Sequence, residues 1–309
     1  MKIRHAGTDV HAVLDEFAVA RAAHDADGAG LTRHLDLAAT RGAALLSEVV
    51  EAHGGAARWA RAQTVSSHVQ VRGLLPTWKF PGRPLEDYHY HQKVDIHRLR
   101  NVMDGFPAPA LTCVFSHDEL RVESDGKVVE RRTQARRGFQ GFGAFRRIQR
   151  WDVIDSAYFV GYAMSNYMSH PYRLTQPGFH VRRGEDWRGD NEIWRRLEVE
   201  YPPGFDSHCH CETFYIDDRG LIRRHDYLPD VFTEARVLAR LLPIPLKAAH
   251  FTCRHREVDG LIFPTFRRVM LAPPGHRPIP GLTMICAQLS DISVSFTADE
   301  AEAHQPGEK

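Results

Sequence analysis

The sequence predicts an α+β fold in which one curved antiparallel β-sheet wraps around helices. Three observations support this prediction. Apolar residues recur at helical spacing over the first sixty positions, apolar and polar residues alternate from Thr64 onwards, and turn sequences rich in Asp and Gly recur along the second part of the chain. Because strands joined by tight turns pair antiparallel, we expect these strands to form a single sheet.

The N-terminal region is predicted to be helical. A first helix is expected to end at Asp27-Gly28, and a second to cover about Leu37–His53. Gly54-Gly55 follows the second helix, as expected of residues that adopt the left-handed conformation at a helix C-terminus. A short third helix is expected over Ala56–Ala62.

Alternating apolar and polar residues predict the strands, and Asp125-Gly126 predicts a hairpin turn. The predicted strand regions are Thr64–Arg72, Tyr88–Arg100, Leu111–Glu130, Phe179–Arg183, Ile193–Tyr201, Cys211–Ile216, Leu221–Tyr227, Ala249–Val258, Leu261–Leu271 and Thr283–Phe296. A buried amphipathic helix is predicted over residues 152–172, between the two groups of strands. The predicted organisation is a helical extension over 1–40, a sheet domain over 41–296 and a polar tail over 297–309.

Composition excludes several classes of protein. Of the 309 residues, 43% are hydrophobic and 26% charged, as in soluble globular proteins, and the formal charge of +1 argues against a dedicated nucleic-acid binder. The longest uncharged run, Ser156–Tyr172, is too short for a membrane span. Five scattered cysteines and an N-terminus without an apolar leader predict a cytoplasmic protein with reduced thiols.

The order of these elements resembles that of the lipoprotein-carrier-like half-barrel superfamily (LolA/LppX-like). The resemblance covers about residues 41–296 and includes the opening Ala52-His-Gly-Gly-Ala-Ala-Arg-Trp59. It implies a curved sheet that wraps helices around an apolar ligand cavity. Those carriers are exported, whereas the first residues here predict no leader and the segment 1–40 is expected to be an additional helical region, so the resemblance implies the fold more directly than the function.

The densest polar cluster is His208-Cys-His210-Cys-Glu212. On a strand, its two histidines and its glutamate point to one face. If residues 217–220 form a type I turn with a bulge, Glu212 lies opposite Asp226, and Phe214 opposite Arg224. One face would then carry His208, His210, Glu212, Arg224 and Asp226. A polar patch in a cavity and a solvated rim with satisfied ion pairs both fit this pattern.

Histidines on two other predicted strands are further candidates. His89 and His91 occur near Asp95 at a spacing that suits a metal site, but the alternation of Tyr90 and Val94 directs these histidines outwards. His250 lies on a strand that can meet the 208–226 hairpin.

The segment Arg131–Arg150 contains seven arginines and no acidic residue. Phe139 and Phe142 recur among its glycines. Basic residues interleaved with aromatic residues can bind single-stranded nucleic acid. They can also form a lid over an apolar cavity, in which Arg137 contacts an anionic group of the substrate, or a solvated loop.

No Walker A, Gly-x-Ser-x-Gly, His-Glu-x-x-His or kinase motif is present. The main hypothesis is therefore a cofactor-independent enzyme that transfers protons on a hydrophobic substrate, with or without an anionic group. His208 would act as base, Asp226 would orient it, and Arg224 or Tyr162 would stabilise negative charge. Predicted substrate contacts are His210, Glu212, Phe139, Phe142, Arg137 and His250. The alternatives are a non-catalytic carrier and an enzyme with a divalent metal bound by His89, His91, His208 and His210.

Overall fold

A computed structural model describes residues 28–82, 85, 87–139, 146–147, 149–189, 192–231, 247–273 and 277–297. Its helices are α1 (Gly28–Ala52), α2 (Ala56–Arg61), α3 (Leu74–Lys79) and α4 (Val153–Ser169). Its strands are β1 (Ala62–Arg72), β2 (Tyr88–Asp95), β3 (Arg100–Asp104), β4 (Leu111–Phe115), β5 (Glu119–Ser124), β6 (Lys127–Thr133), β7 (His180–Arg188), β8 (Ile193–Glu200), β9 (Cys211–Ile216), β10 (Ile222–Tyr227), β11 (Lys247–Val258), β12 (Leu261–Ala272) and β13 (Thr283–Phe296).

The strands form one open antiparallel sheet. Its order is β6-β5-β4-β3-β2-β1-β13-β12-β11-β10-β9-β8-β7, so the first and last strands pair in the middle while β6 and β7 form the edges. Helix α4 packs against β2 to β6 on one half of the sheet. On the other half, its Tyr167 contacts the rings of His225 and His250. The predicted antiparallel half-barrel around a helix is confirmed.

Helix α4 is almost completely buried, and local chemistry sets its ends. The carboxylate of Asp152 accepts a hydrogen bond from the backbone N–H of Asp155 at 2.7 Å, which caps the first turn. The helix stops before Pro171, which cannot continue it. At Gly161 a Cβ atom would lie only 2.5 Å from the Cβ of Phe115, so glycine permits the close approach of β4.

Aromatic side chains fill much of the space between α4 and the sheet. Phe159 lies 5.3 Å from Trp151 and 6.3 Å from Phe80, measured between ring centroids. Tyr158 lies 5.8 Å from Phe139 in a stacked arrangement. Such packing buries large apolar areas and holds the helix in one orientation.

Several element boundaries differ from the prediction. Helix α1 covers Gly28–Ala52 and so crosses residue 40, the predicted domain boundary. The predicted strand Tyr88–Arg100 is two strands, because the carboxylate of Asp95 accepts backbone hydrogen bonds from His97 and Arg98 and closes a turn. Helix α3 was not predicted. The expected first helix and the polar tail lie almost wholly outside the described residues, and the domain boundaries stay predictions.

The register of the β9–β10 hairpin differs from the prediction by one residue. Ile222 lies opposite Ile216 as expected, but His225 rather than Arg224 lies opposite Phe214. The register shifts between Ile222 and Arg224, where one extra residue forms a bulge and moves every later side chain to the other face. The polar face predicted from the sequence is therefore divided between the two faces of the sheet.

Candidate functional site

His208 is buried and lies between two tyrosines of α4. It precedes β9 instead of lying on a strand. Its Nδ1 atom lies 3.0 Å from the hydroxyl oxygen of Tyr162, and its Nε2 atom lies 2.6 Å from that of Tyr167. Its ring stacks on Tyr227 at 4.0 Å. Two of the candidate residues, His208 and Tyr162, are thus in direct contact.

A second chain of buried polar groups extends from β9 to β11. The Oε2 atom of Glu212 lies 3.1 Å from Nδ1 of His225, and Nε2 of His225 lies 2.8 Å from Nδ1 of His250. The hydroxyl of Tyr227 lies 3.5 Å from the same Nδ1 atom of His250. Glu212 and His250, both predicted as contacts, thus belong to a network with His225, which the predicted register had placed on the other face.

Burial keeps this network neutral. It lowers the pKa of His208 and His250 well below the usual range, and a positive charge on His225 would lower both further. Burial also lowers the pKa of His225 to about 3 and raises that of Glu212 to about 8. At neutral pH the imidazoles are uncharged and weakly basic, and the Glu212 carboxyl is mostly protonated.

Asp226 and Arg224 lie on the opposite face of the hairpin from this network. The guanidinium of Arg224 forms a bidentate pair with the carboxylate of Asp226, at 2.6 and 2.7 Å, and Tyr215 donates to the same carboxylate at 3.0 Å. The predicted pairing of Asp226 with His208 is wrong, because the bulge in β10 reverses the direction of both Arg224 and Asp226. Among the described residues, His208 therefore has two tyrosines as partners and no orienting carboxylate.

His210 lies apart from the buried network. Its side chain is 54% exposed, and its Nε2 atom lies 2.9 Å from Oε1 of Glu200. The predicted common face of His208 and His210 is therefore not formed, since residues 207–210 are irregular and strand alternation begins only at Cys211.

The arginine-rich segment is tied to the fold by ion pairs. Arg132 and Arg146 both contact the carboxylate of Asp155 at the start of α4. Arg136 lies 2.5 Å from a carboxylate oxygen of Asp230. A freely solvated loop is therefore wrong for these three arginines, which find acidic partners outside their own segment.

The predicted contact residues of that segment lie in different settings. Phe139 is buried against Trp151 and Tyr158 as part of the core, and Arg137 is exposed. Phe142 lies outside the described residues.

The alternative metal ligands do not converge. His89 and His91 are exposed on the outer face of β2, beside His68, whereas His208 is buried on the inner side. Within the described ranges, no three His, Cys, Asp or Glu side chains are grouped so as to hold a metal ion. Each helix in those ranges is too short or too polar to span a bilayer.

A cleft of about 310 Å³ opens beside α4, next to the His208 network. Its lining is mixed, with the apolar side chains Leu99, Phe115, Pro202 and Phe205 and the polar side chains Arg98, His117, Tyr162, Ser165, Asn166 and Asp206. The amide Nδ2 of Asn166 donates to the backbone carbonyl of Asp206 at 2.7 Å, while its buried Oδ1 has no hydrogen-bond partner among the described residues. The residues Pro-Pro-Gly at 202–204 are typical of a loop, but no local sequence pattern indicates that this loop faces α4.

No family model and no curated protein matches the chain. Among solved structures, it is similar to a LolA superfamily protein from Nitrosomonas europaea, with 12% identity, coverage of 84% of this chain and 96% of that one, and a TM-score of 0.46. A DUF1329 family protein from Desulfovibrio piger has 11% identity, coverage of 84% and 95%, and a TM-score of 0.39. Lipoprotein LppX of Mycobacterium tuberculosis has 10% identity, coverage of 81% and 95%, and a TM-score of 0.26. At these low identities, each is a similarity of fold alone.

Proposed function

We propose that this protein binds a hydrophobic small molecule in the cleft beside α4 and acts as a carrier without catalysis. The observation that supports this function best is the cleft itself. Its volume of about 310 Å³ falls at the lower end of the range typical of small-molecule sites. Its apolar side chains, among them Leu99, Phe115 and Phe205, can hold a hydrophobic ligand by removing apolar surface from water, while the polar side chains can fix the ligand's orientation.

Asn166 is one of the polar residues that line the cleft and can orient a ligand. The unpaired Oδ1 atom of Asn166 can accept a hydrogen bond from a hydroxyl or amide group of the ligand. Such a bond removes the penalty of an unsatisfied buried acceptor, about 1–3 kcal/mol, and favours ligands with a donor at one end.

The geometry of the site does not favour the proton-transfer enzyme that the sequence first indicates. A general base works best with a pKa near the operating pH, whereas burial holds the pKa of His208 well below the usual range. Asp226, expected to orient His208, is committed to Arg224 on the other face. We further propose that binding uses no cofactor. The cytoplasmic location stays a prediction.

The test is displacement of the uncharged fluorescent probe N-phenyl-1-naphthylamine by dodecanol and by dodecanoate. Leu99→Asp places a charge among the apolar side chains of the cleft, and we expect it to weaken binding of the probe at least about tenfold. Leu99 has a φ of 52°, a conformation that Asp tolerates better than Leu, so the substitution does not strain the backbone.

Leu85→Asp provides the matched control. Leu85 has a φ of 62° and is 77% exposed outside the cleft, so the same chemical change occurs in a similar backbone conformation. Equal affinity of Leu99→Asp, Leu85→Asp and the natural protein for the probe would overturn the proposal. So would failure of dodecanol and dodecanoate to displace it.

A further inference from the structure

A second cavity, here called the rim pocket, opens where the β9–β10 turn meets β11. It has a volume of about 550 Å³ and is lined in part by Arg219, Arg223, Arg254 and His255. It shares no lining residue with the cleft beside α4, so the two sites can be tested separately. None of the residues that line it is acidic.

Positive charge is in excess at the rim pocket. Arg219 and Arg223 approach the same carboxylate oxygen of Asp217, at 3.6 and 3.2 Å. The guanidinium carbon of Arg254 lies 5.1 Å from the ring centroid of Phe266, and no carboxylate of the described residues pairs with it. Three guanidinium groups around one carboxylate leave a local charge of about +2.

Two buried nitrogens at this pocket have no hydrogen-bond partner among the described residues. They are Nε of Arg223 and Nε2 of His255. Burial, followed by the positive charges of His53, Arg223 and Arg267, lowers the pKa of His255 to about 4. Unsatisfied buried nitrogens next to excess positive charge are favourable surroundings for an anion.

We propose that the rim pocket binds a phosphate group, held by the guanidinium groups of Arg223 and Arg254 and by the imidazole of His255. A phosphate monoester carries a charge of about −1.5 to −2 at neutral pH, which matches the excess charge of the pocket, whereas a single carboxylate neutralises only half of it. Arginine also suits phosphate because its planar donors engage two oxygens at once. The phosphate group can belong to a soluble ester or to a lipid headgroup.

The first experiment titrates the full chain with inorganic phosphate in a phosphate-free buffer, by calorimetry and by NMR of the histidine side chains. We expect saturable binding and a rise in the pKa of His255, because an anion stabilises the imidazolium form. Arg254→Gln and Arg223→Gln should each weaken binding about tenfold or more, since each removes a charged hydrogen-bond donor.

Arg131→Gln is the matched control. Arg131 pairs with Glu119 at 3.3 Å on β5, so this variant removes the same charge from a comparable ion pair elsewhere and should bind phosphate normally. If Arg223→Gln fails to fold because it loses Asp217, Arg254→Gln carries the test, since Arg254 has no such ion pair among the described residues. Phosphate affinity that is equal in the natural protein and Arg254→Gln would overturn the proposal.

Vesicles distinguish the two sources of phosphate. Co-sedimentation with vesicles of phosphatidic acid in phosphatidylcholine, lost in Arg254→Gln and absent with phosphatidylcholine alone, identifies a lipid headgroup. Binding of inorganic phosphate without such co-sedimentation identifies a soluble ester. If neither probe binds in a manner that depends on Arg254, the rim pocket is not a phosphate site.

Discussion

The carboxyl group of Glu212 faces the imidazole of His225 inside the sheet, with 3.1 Å between Oε2 and Nδ1. Burial raises the pKa of Glu212 to about 8 and lowers that of His225 to about 3. At pH 7 the pair is therefore mostly uncharged, a protonated carboxyl beside a neutral imidazole, and not an ion pair. Because burial shifts the two pKa values in opposite directions, Glu212 should reduce the stability of the fold as the pH rises, and His225 should reduce it as the pH falls.

Glu212 should make the protein less stable as the pH rises from about 4.5 to 8. Within this range the folded protein retains a proton that the unfolded chain, with the ordinary value of 4.5, has released. The stability that this proton contributes is complete below the unfolded pKa and lost as the pH rises through 8. Glu212→Gln should flatten this part of the curve of unfolding free energy against pH, measured with urea. Parallel curves for the two proteins would contradict the assigned pKa.

His225 should make the protein less stable as the pH falls from about 6.5 to 3. Its folded pKa of about 3 lies below the ordinary value of 6.5, so the unfolded chain binds a proton that the folded protein excludes. Each unit between the two values corresponds to about 1.4 kcal/mol. His225→Gln should reduce the slope of unfolding free energy against pH in this range. His180→Gln, at an exposed site at the start of β7, controls for the substitution itself. A slope as steep in His225→Gln as in the natural protein would contradict this prediction.

Asp226→Asn should destabilise the fold without weakening ligand binding. The substitution leaves the buried guanidinium of Arg224 without its carboxylate, a change that typically costs about 3–5 kcal/mol. Glu119→Gln breaks the exposed pair with Arg131 and should cost less than about 1 kcal/mol. Urea unfolding measures both variants. Unchanged stability of Asp226→Asn together with lost binding would restore a role for this carboxylate in the site.

Gly161→Ala should destabilise the protein by about 1–3 kcal/mol, although alanine is the better helix former by up to about 1 kcal/mol. The added Cβ would lie 2.5 Å from the Cβ of Phe115, so helix and sheet must separate. Gly138→Ala is the control, since its nearest contact is the flexible side chain of Arg146 at 3.8 Å. Thermal melting compares the two variants. A higher melting temperature for Gly161→Ala would show that α4 does not pack so closely on β4.

Local patterns in the sequence were sufficient to predict most elements. The strands Cys211–Ile216 and Thr283–Phe296 have the predicted bounds, because period-two alternation depends only on neighbours along the chain. Helix α4 lies within its predicted range, because helical periodicity also depends only on neighbours along the chain. The hydrophobic ligand remains a proposal and the function of the arginine segment remains a prediction. Local sequence pattern alone is not sufficient to establish either of them.

The sequence by itself determined the antiparallel sheet and the buried helix, because these follow from periodicity and turn residues. Only the tertiary structure decided which polar groups meet. One extra residue in β10 directs Asp226 towards Arg224 and His225 towards Glu212. Tyrosines from α4 then contact His208. Such long-range contacts depend on register and on how far the sheet wraps around α4, and a shift of one residue reverses every side chain that follows it.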